Sequence, residues 1–264
     1  MNFPLVVFVT SVALLTLMAG VGDTLRKRIG APTESVRSDS GLLLSAILTL
    51  LFLIIGFSFS MAVNRYDLRK NCEQAEVVAI GTIYSRADLL APAEGAKVKE
   101  LLKRYLDQRV LFYTTRSSDR ASEVFVETVR IESELWSTIL PAVAAVPPPL
   151  MGLLVTGMND VVNSERTSRA AWLNRVPYGA WALMAIIAIG SCGLIGYRAR
   201  HTDWLAFMIV PVAASVSFFL IADLDSPRAG AIRVSPQNLS NLAESLSAHP
   251  QARTGVRSSS GVTP

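Results

Sequence analysis

Residues 42–63 read LLLSAILTLLFLIIGFSFSMAV, a run of 22 residues without a charged side chain. At about 1.5 Å of rise per residue, a helix of this length crosses the hydrocarbon core of a bilayer, which is roughly 30 Å thick. Lipid offers the backbone no hydrogen-bond partners, so an apolar run inside a membrane has to be helical. The run therefore predicts a transmembrane helix.

Three further uncharged runs have the same character, at residues 3–21, 178–197 and 204–222. A single run of this kind is compatible with a buried helix of a soluble core, but four in one chain are typical of a polytopic membrane protein. In the first run the basic trio Arg26–Arg28 follows the apolar residues, which is the reverse of a signal peptide. We therefore predict an all-α polytopic membrane protein with four transmembrane helices, the first of them uncleaved.

The composition agrees with a membrane location and excludes several other classes. Of the 264 residues, 51% are apolar and 17% are charged, whereas an ordinary soluble domain carries about 25% charge. This balance is the opposite of a disordered chain, and two cysteines are too few for a disulfide scaffold. The basic residues behind the net charge of +4 surround the apolar runs, so we expect a lipid bilayer as partner and no nucleic acid.

The apolar runs divide the chain into five parts. Residues 1–63 form a first transmembrane pair and residues 178–222 a second. Between them, residues 64–177 form a helical extramembrane segment. Residues 223–248 form a short amphipathic C-terminal segment, and residues 249–264, which are small and polar, form a disordered tail.

The middle segment has helical periodicity. Residues 65–89 continue the second span, and apolar side chains recur at three and four residues within 94–112, 119–140 and 150–171. Such stripes are typical of a helix-bundle core, with partner contacts as the alternative.

A fifth uncharged stretch, residues 136–158, contains Pro141 and a run of three prolines at 147–149. Proline removes a backbone donor and clashes with the preceding turn. We therefore predict that one helix ends near Val146 and another begins near Pro149, rather than a fifth span.

No arrangement of residues indicates catalysis. The two histidines, His201 and His249, are far apart, and no Cys/His cluster has metal-binding spacing. Glu132 and Glu134 are two residues apart, so on a helix they face different ways, and a solvated face explains them. We predict that the protein is not an enzyme and holds no cofactor.

Charged clusters adjoin two of the spans. Arg65 and Arg69 follow the second span; they either anchor the helix and pair along it, or form an arginine ring at a pore mouth that concentrates anions. Asp223 and Asp225 end the fourth span, where carboxylates oppose the helix macrodipole and favour a cationic partner. Such a pair indicates an interfacial clamp, with Arg228 or Arg65 as partner, or less simply a cation-binding loop.

Four short runs resemble the uncharacterised bacterial membrane family described as bestrophin-like: 65–67, 76–90, 224–230 and 232–236. The resemblance extends to about Leu246, with departures at Val78 and Ser226, where the family often has Asn and a basic residue. With these runs included, the candidates for a charged mouth or clamp are Arg65, Arg69, Glu76, Arg86, Asp223, Asp225 and Arg228.

The family name implies an analogy with bestrophins, which are pentameric chloride channels with a hydrophobic neck on the second span and a calcium-binding acidic loop after the fourth. For this chain the resemblance implies a homo-oligomer that passes small anions across the bacterial inner membrane, with Asp223 and Asp225 at the loop position. The implied neck residues share one helical face: Phe52, Gly56, Phe59 and Val63.

Two alternatives stay open. A Phe/Gly face within a span is also explained by helix packing, and a non-catalytic scaffold or sensor whose middle segment binds a partner is the alternative function. The resemblance places the middle segment in the cytoplasm, whereas the six basic residues of the loops 22–41 and 198–203 favour those loops there.

Overall fold

The computed structural model describes residues 3–30, 33–198 and 204–248, and within these residues it contains helices and no strand. This confirms the all-α prediction; the predicted disordered tail, 249–264, and both histidines lie outside the described residues. The helices are α1 (Phe3–Ile29), α2 (Glu34–Arg86), α3 (Pro92–Thr114), α4 (Ser118–Val143), α5 (Pro148–Leu173), α6 (Tyr178–Arg198), α7 (Trp204–Asp225) and α8 (Gln237–Ala248), with a 3-10 turn at Ala87–Leu89.

The four predicted spans lie in α1, α2, α6 and α7. The described part of the chain has four helical stretches that are long and apolar enough to cross a membrane. The chain is thus an all-α, multi-pass integral membrane protein.

Prolines and a polar cap set the ends of the helices between the spans. Pro92 and Pro148 stand at the first positions of α3 and α5. A backbone N–H at this position has no partner within the helix, so proline loses no hydrogen bond there. The Ser117 side chain accepts a hydrogen bond from the Arg120 N–H at 3.4 Å and caps α4. Because α4 ends at Val143, the predicted interruption of the uncharged stretch 136–158 is confirmed.

The chain forms two compact units, which we describe separately. Unit 1 comprises residues 1–67 and 174–233, and unit 2 comprises residues 68–173 and 234–264. Helix α2 contributes residues to both units.

In unit 1 the spans pack through small residues and a continuous apolar cluster. A Cβ atom at Gly196 of α6 would lie 1.9 Å from the Ala19 carbonyl oxygen, and one at Gly22 of α1 would lie 2.0 Å from the Gly193 carbonyl oxygen. Only glycine permits this approach of two backbones, which is the way membrane helices gain packing contacts. The cluster is supplied by α1, α2, α6 and α7 and includes Leu15, Leu51, Ile55, Met184, Ala188, Phe218 and Ile221.

In unit 2 the predicted stripes of the middle segment form a core. The buried side chains come from α3 (Val98, Leu102 and Leu106), from α4 (Ile131, Leu135 and Ile139) and from α5 (Leu154, Met158 and Val161). The helix-bundle interpretation of these stripes is therefore confirmed.

The close contact between α1 and α6 predicts a position-specific effect of a single methyl group. We expect Gly196→Ala to force the two backbones apart and to lower stability by about 1–3 kcal/mol. Gly190→Ala is the matched control on the same helix, because a Cβ there has no neighbour within 4 Å. Thermal unfolding in detergent measures both variants, and equal melting temperatures would contradict the packing described here.

Candidate functional site

The second span buries one face in unit 1 and leaves another uncovered. The buried face consists of Leu51, Ile55, Ser58 and Ala62. Phe52 and Phe59 are 43% and 40% exposed, and a Cβ at Gly56 would have no neighbour within 4 Å. Three of the four residues implied for a neck thus lie together on an apolar surface that this chain does not cover. The fourth, Val63, is half-buried against the apolar cluster of unit 1.

The buried face of the second span lies in an apolar cluster. Met184, Ala188 and Cys192 of α6 and Ala214 of α7 are all completely buried in the same cluster as Leu51. This side of the second span therefore contacts apolar side chains of unit 1.

The first residue of the acidic pair, Asp223, closes the turn that follows α7. Its carboxylate is 3% exposed and accepts hydrogen bonds from the backbone N–H groups of Ala231, at 2.7 Å, and Ile232, at 2.8 Å. A Cβ at Gly230 would lie 2.4 Å from the Asp223 carbonyl oxygen, so the turn requires glycine there. The Asp223 carboxylate is thus bound by backbone N–H groups, where the sequence favoured a cationic partner.

The second acidic residue, Asp225, connects the end of α7 with the segment before α6. Its carboxylate accepts a hydrogen bond from the Val176 N–H at 2.9 Å, and its backbone carbonyl accepts one from the Arg175 guanidinium. In the same segment, Arg65 Nη1 donates to Asn174 Oδ1 at 3.0 Å. These bonds favour the clamp interpretation of the cluster.

The cation-binding interpretation of Asp223 and Asp225 gains no support. Within the residues that the structure describes, no three or more His, Cys, Asp or Glu side chains are grouped so as to hold a metal ion. Asp223 uses both of its oxygens as hydrogen-bond acceptors within its own turn.

In unit 2, two of the candidates for a charged mouth or clamp lie in the protein interior. Arg69 is 1% exposed and Glu76 is fully buried. An arginine in this environment cannot meet a hydrated anion, so the structure favours a structural role for both residues. Arg86 is half-buried and donates a hydrogen bond to the Leu153 carbonyl oxygen at 2.7 Å.

Glu73, one turn beyond Arg69, binds the beginning of α8. Its carboxylate accepts from the Leu239 N–H at 2.9 Å and from Asn238 Nδ2 at 2.7 Å. A carboxylate at a helix N-terminus satisfies free N–H groups and complements the macrodipole. This contact fixes α8 within unit 2.

Glu76 is the acceptor in a buried polar network. The guanidinium of Arg109 binds it in two places, with Nε at 2.6 Å and Nη2 at 3.0 Å from the carboxylate oxygens. The Tyr113 hydroxyl donates to Glu76 at 3.0 Å and also contacts Ser168 Oγ at 2.8 Å. A second carboxylate, that of Glu165, lies 3.6 Å from Arg109 Nη1. The network joins α2, α3 and α5.

The surroundings of this network shift the pKa values of Arg109 and Tyr113. Burial by itself would lower the pKa of Arg109, but the adjacent Glu76 carboxylate outweighs that effect and raises the pKa, so the guanidinium remains charged. Burial also raises the pKa of the Tyr113 hydroxyl, which therefore remains a donor. No pattern in the sequence indicates a role for Arg109, because 33 residues separate it from Glu76 and no local spacing connects them.

The prediction that Glu132 and Glu134 lie on a solvated face of α4 is confirmed for Glu134 and wrong for Glu132. Glu134 pairs with Arg130 at the surface. Glu132 is half-buried, and its carboxylate accepts a 3.4 Å hydrogen bond from the Tyr105 hydroxyl of α3. Burial, together with the negative charge of Glu165 on α5, raises the pKa of Glu132 from 4.5 to about 7.

Comparison with known proteins identifies relatives over nearly the whole chain. The family model described as Bestrophin-like domain matches residues 6–239. No curated protein matches the sequence.

Solved structures with the same fold include a tryptophan-to-alanine variant of a bacterial bestrophin homologue from Klebsiella pneumoniae. It is 14% identical, with a TM-score of 0.65 over 94% of this chain and 97% of that one. A leucine-to-threonine variant of a bestrophin homologue from the same organism is 16% identical, with a TM-score of 0.61 over 90% and 97%. At this identity the likeness establishes the fold alone.

The buried pair between Glu76 and Arg109 predicts a large stability effect. We expect Glu76→Gln to lower stability by about 3–5 kcal/mol, because it leaves the buried Arg109 charge with only the more distant Glu165 carboxylate, at 3.6 Å, as counter-ion. Glu134→Gln removes an exposed pair and should cost about 0–1 kcal/mol. Thermal unfolding in detergent compares the two, and similar losses would show that the network does not stabilise unit 2.

The raised pKa of Glu132 predicts a pH-dependent contribution to stability. The folded protein binds this proton more tightly than the unfolded chain, so the stabilisation is present below pH about 4.5 and is lost as pH rises through about 7. Glu132→Gln imitates the neutral form, so its fall in melting temperature between pH 5 and pH 8 should be smaller than that of the original protein. An unchanged fall would contradict this assignment; Glu134→Gln is the control.

Proposed function

The chain belongs to the Bestrophin-like family, and from this membership and the uncovered face of α2 we propose that it is one subunit of a homo-oligomeric anion channel. We place the channel in the inner membrane of a bacterium. The observation that carries the proposal is the contrast between the buried apolar cluster of unit 1 and the exposed aromatic surface of its second span.

A pore of this kind needs several copies of the chain. Cyclic symmetry repeats one surface around an axis, so a face left uncovered on each subunit becomes the wall of a central path. The apolar interior of unit 1, with Leu51 and Met184 completely buried, supports a path between subunits rather than through one.

The neck consists of Phe52, Gly56 and Phe59 from each subunit. The two phenylalanines are seven residues apart, which is about two helical turns, so each supplies its own apolar ring. Gly56 lies between them and has no side chain, so the path is wider at this position. Hydrophobic constrictions control ion passage through dewetting, and this is the mechanism that we propose. Val63, half-buried against the core, lies at the margin of the neck.

Arg65 gives the path its preference for anions. It follows Phe59, the last neck residue, by six residues on α2 and is half-buried, with Nη1 bonded to Asn174. Repeated around an axis, its guanidinium adds positive charge at that end of the path, which attracts anions and repels cations. In this proposal Asp223 and Asp225 clamp the end of α7 and take no part in conduction.

The neck predicts that Phe59→Ala alters ion flux. We expect this variant to widen and hydrate the constriction and to raise chloride flux severalfold in liposomes that contain the purified protein. Phe57→Ala is the matched control: Phe57 is 64% exposed, but two residues along a helix turn it about 200° away from Phe59.

Cross-linking of the same preparations counts the subunits. A closed ring of several subunits with chloride flux supports the channel. A pure oligomer without flux, or a monomer, would contradict it and favour the scaffold or sensor function. Equal effects of Phe57→Ala and Phe59→Ala would contradict the assignment of the neck.

A further inference from the structure

Unit 1 contains a pocket of about 620 Å³, and its α2 residues precede Phe52 in the chain. Its wall comes from the first turns of α2, the last turn of α6 and Val210 of α7. Because α2 begins and α6 ends at this point, the pocket lies at one end of the spans, where the headgroup region of a bilayer is expected.

The pocket is polar at its outer end and apolar further in. Arg37 and Ser38 open α2, and Leu44 and Leu48 follow on the same wall. From Arg37 to Leu48 the helix rises about 16 Å, at about 1.5 Å per residue. The change from charged to apolar thus runs along the direction of the spans, as it does along a phospholipid.

Two arginines supply the polar end. Arg37 Nη2 donates a hydrogen bond to the Arg198 carbonyl oxygen at 2.5 Å. The guanidinium of Arg198 lies over Gly41, where a Cβ would be 2.8 Å from Nη2, so glycine leaves the space that this side chain occupies. The pocket lining includes no acidic side chain, and within the described residues neither arginine forms an ion pair with a carboxylate.

One donor of this pair is buried without a hydrogen-bond partner. Arg198 Nε is inaccessible to water and donates to no acceptor among the described residues. The terminal nitrogens of arginine guanidinium groups match the oxygen geometry of a phosphate. Arg37 and Arg198 therefore suit an anionic group in the pocket.

We propose that this pocket binds an anionic phospholipid, with its phosphate at Arg37 and Arg198 and an acyl chain along Leu44 and Leu48. Free phosphate would bind the same arginines, but it would leave the apolar wall of Leu44 and Leu48 without a ligand. Anionic lipids gather near basic residues at the membrane surface, so the site adds a specific contact to a general attraction. The proposal does not depend on ion conduction.

The test measures phospholipid binding to the full-length protein by native mass spectrometry in mild detergent. The probes are phosphatidylglycerol, phosphatidylcholine with the same acyl chains, and inorganic phosphate. We expect phosphatidylglycerol to bind at least tenfold more tightly than phosphatidylcholine, and inorganic phosphate at millimolar concentration not to displace it.

Three variants localise the binding. Arg198→Gln removes a phosphate ligand and should weaken phosphatidylglycerol binding about tenfold. Ser45→Trp leaves the charge unchanged and fills the pocket, and should weaken binding similarly. Arg28→Gln removes a positive charge from the exposed end of α1, outside the pocket lining, and should have no effect. Thermal unfolding confirms that each variant is folded, and Ser45→Trp keeps the test valid if Arg198→Gln is unstable.

Several results would overturn the proposal. Equal binding of the two phospholipids would show that the headgroup charge is not recognised. Displacement by inorganic phosphate would assign the site to the free anion. An effect of Arg28→Gln as large as that of Arg198→Gln would reduce the binding to general surface attraction, and full binding by folded Ser45→Trp would exclude the pocket.

Discussion

Lipid provides no hydrogen-bond partners for the backbone, and this constraint forces the four apolar runs to be helices. Between such helices the hydrophobic effect offers little, because lipid chains are as apolar as the side chains. Close packing has to take its place, and Gly196 against Ala19 and Gly22 against Gly193 bring two backbones into direct contact. The packing of the spans in unit 1 thus depends on glycines, which have no side chain, as well as on apolar side chains.

Unit 2 is ordered by a buried apolar core and by a buried charged network. Its apolar stripes form an ordinary helix-bundle core, and within that core lies a charged network around Arg109. Buried ion pairs contribute little net stability, but removal of one partner is costly. The pair between Glu76 and Arg109 therefore fixes how α2 packs against α3. The hydrogen bond to Glu73 fixes the position of α8 in the same way.

Helix α2 contributes residues to the apolar core, the proposed neck, the arginine pocket and the buried polar contacts. One of its faces enters the core of unit 1, and an adjacent face holds Phe52 and Phe59 uncovered. Its first turns line the arginine pocket, and its last turns hold Glu73 and Glu76. The proposed neck and the proposed lipid site therefore lie on different parts of one helix and can be tested independently.

The helical fold and the four spans could be predicted from the sequence, because the length of an apolar run, its lack of charge and its three-to-four periodicity are local properties of each segment. The proline break before α5 could be predicted for the same reason. Which charged residues are buried, and what they bind, depends on the tertiary structure. Arg69 and Glu76 were candidates for a charged mouth or clamp and lie in the interior, while Asp223 and Asp225 bind backbone N–H groups from other turns. Such partners are brought together by chain reversals that no spacing along the sequence encodes.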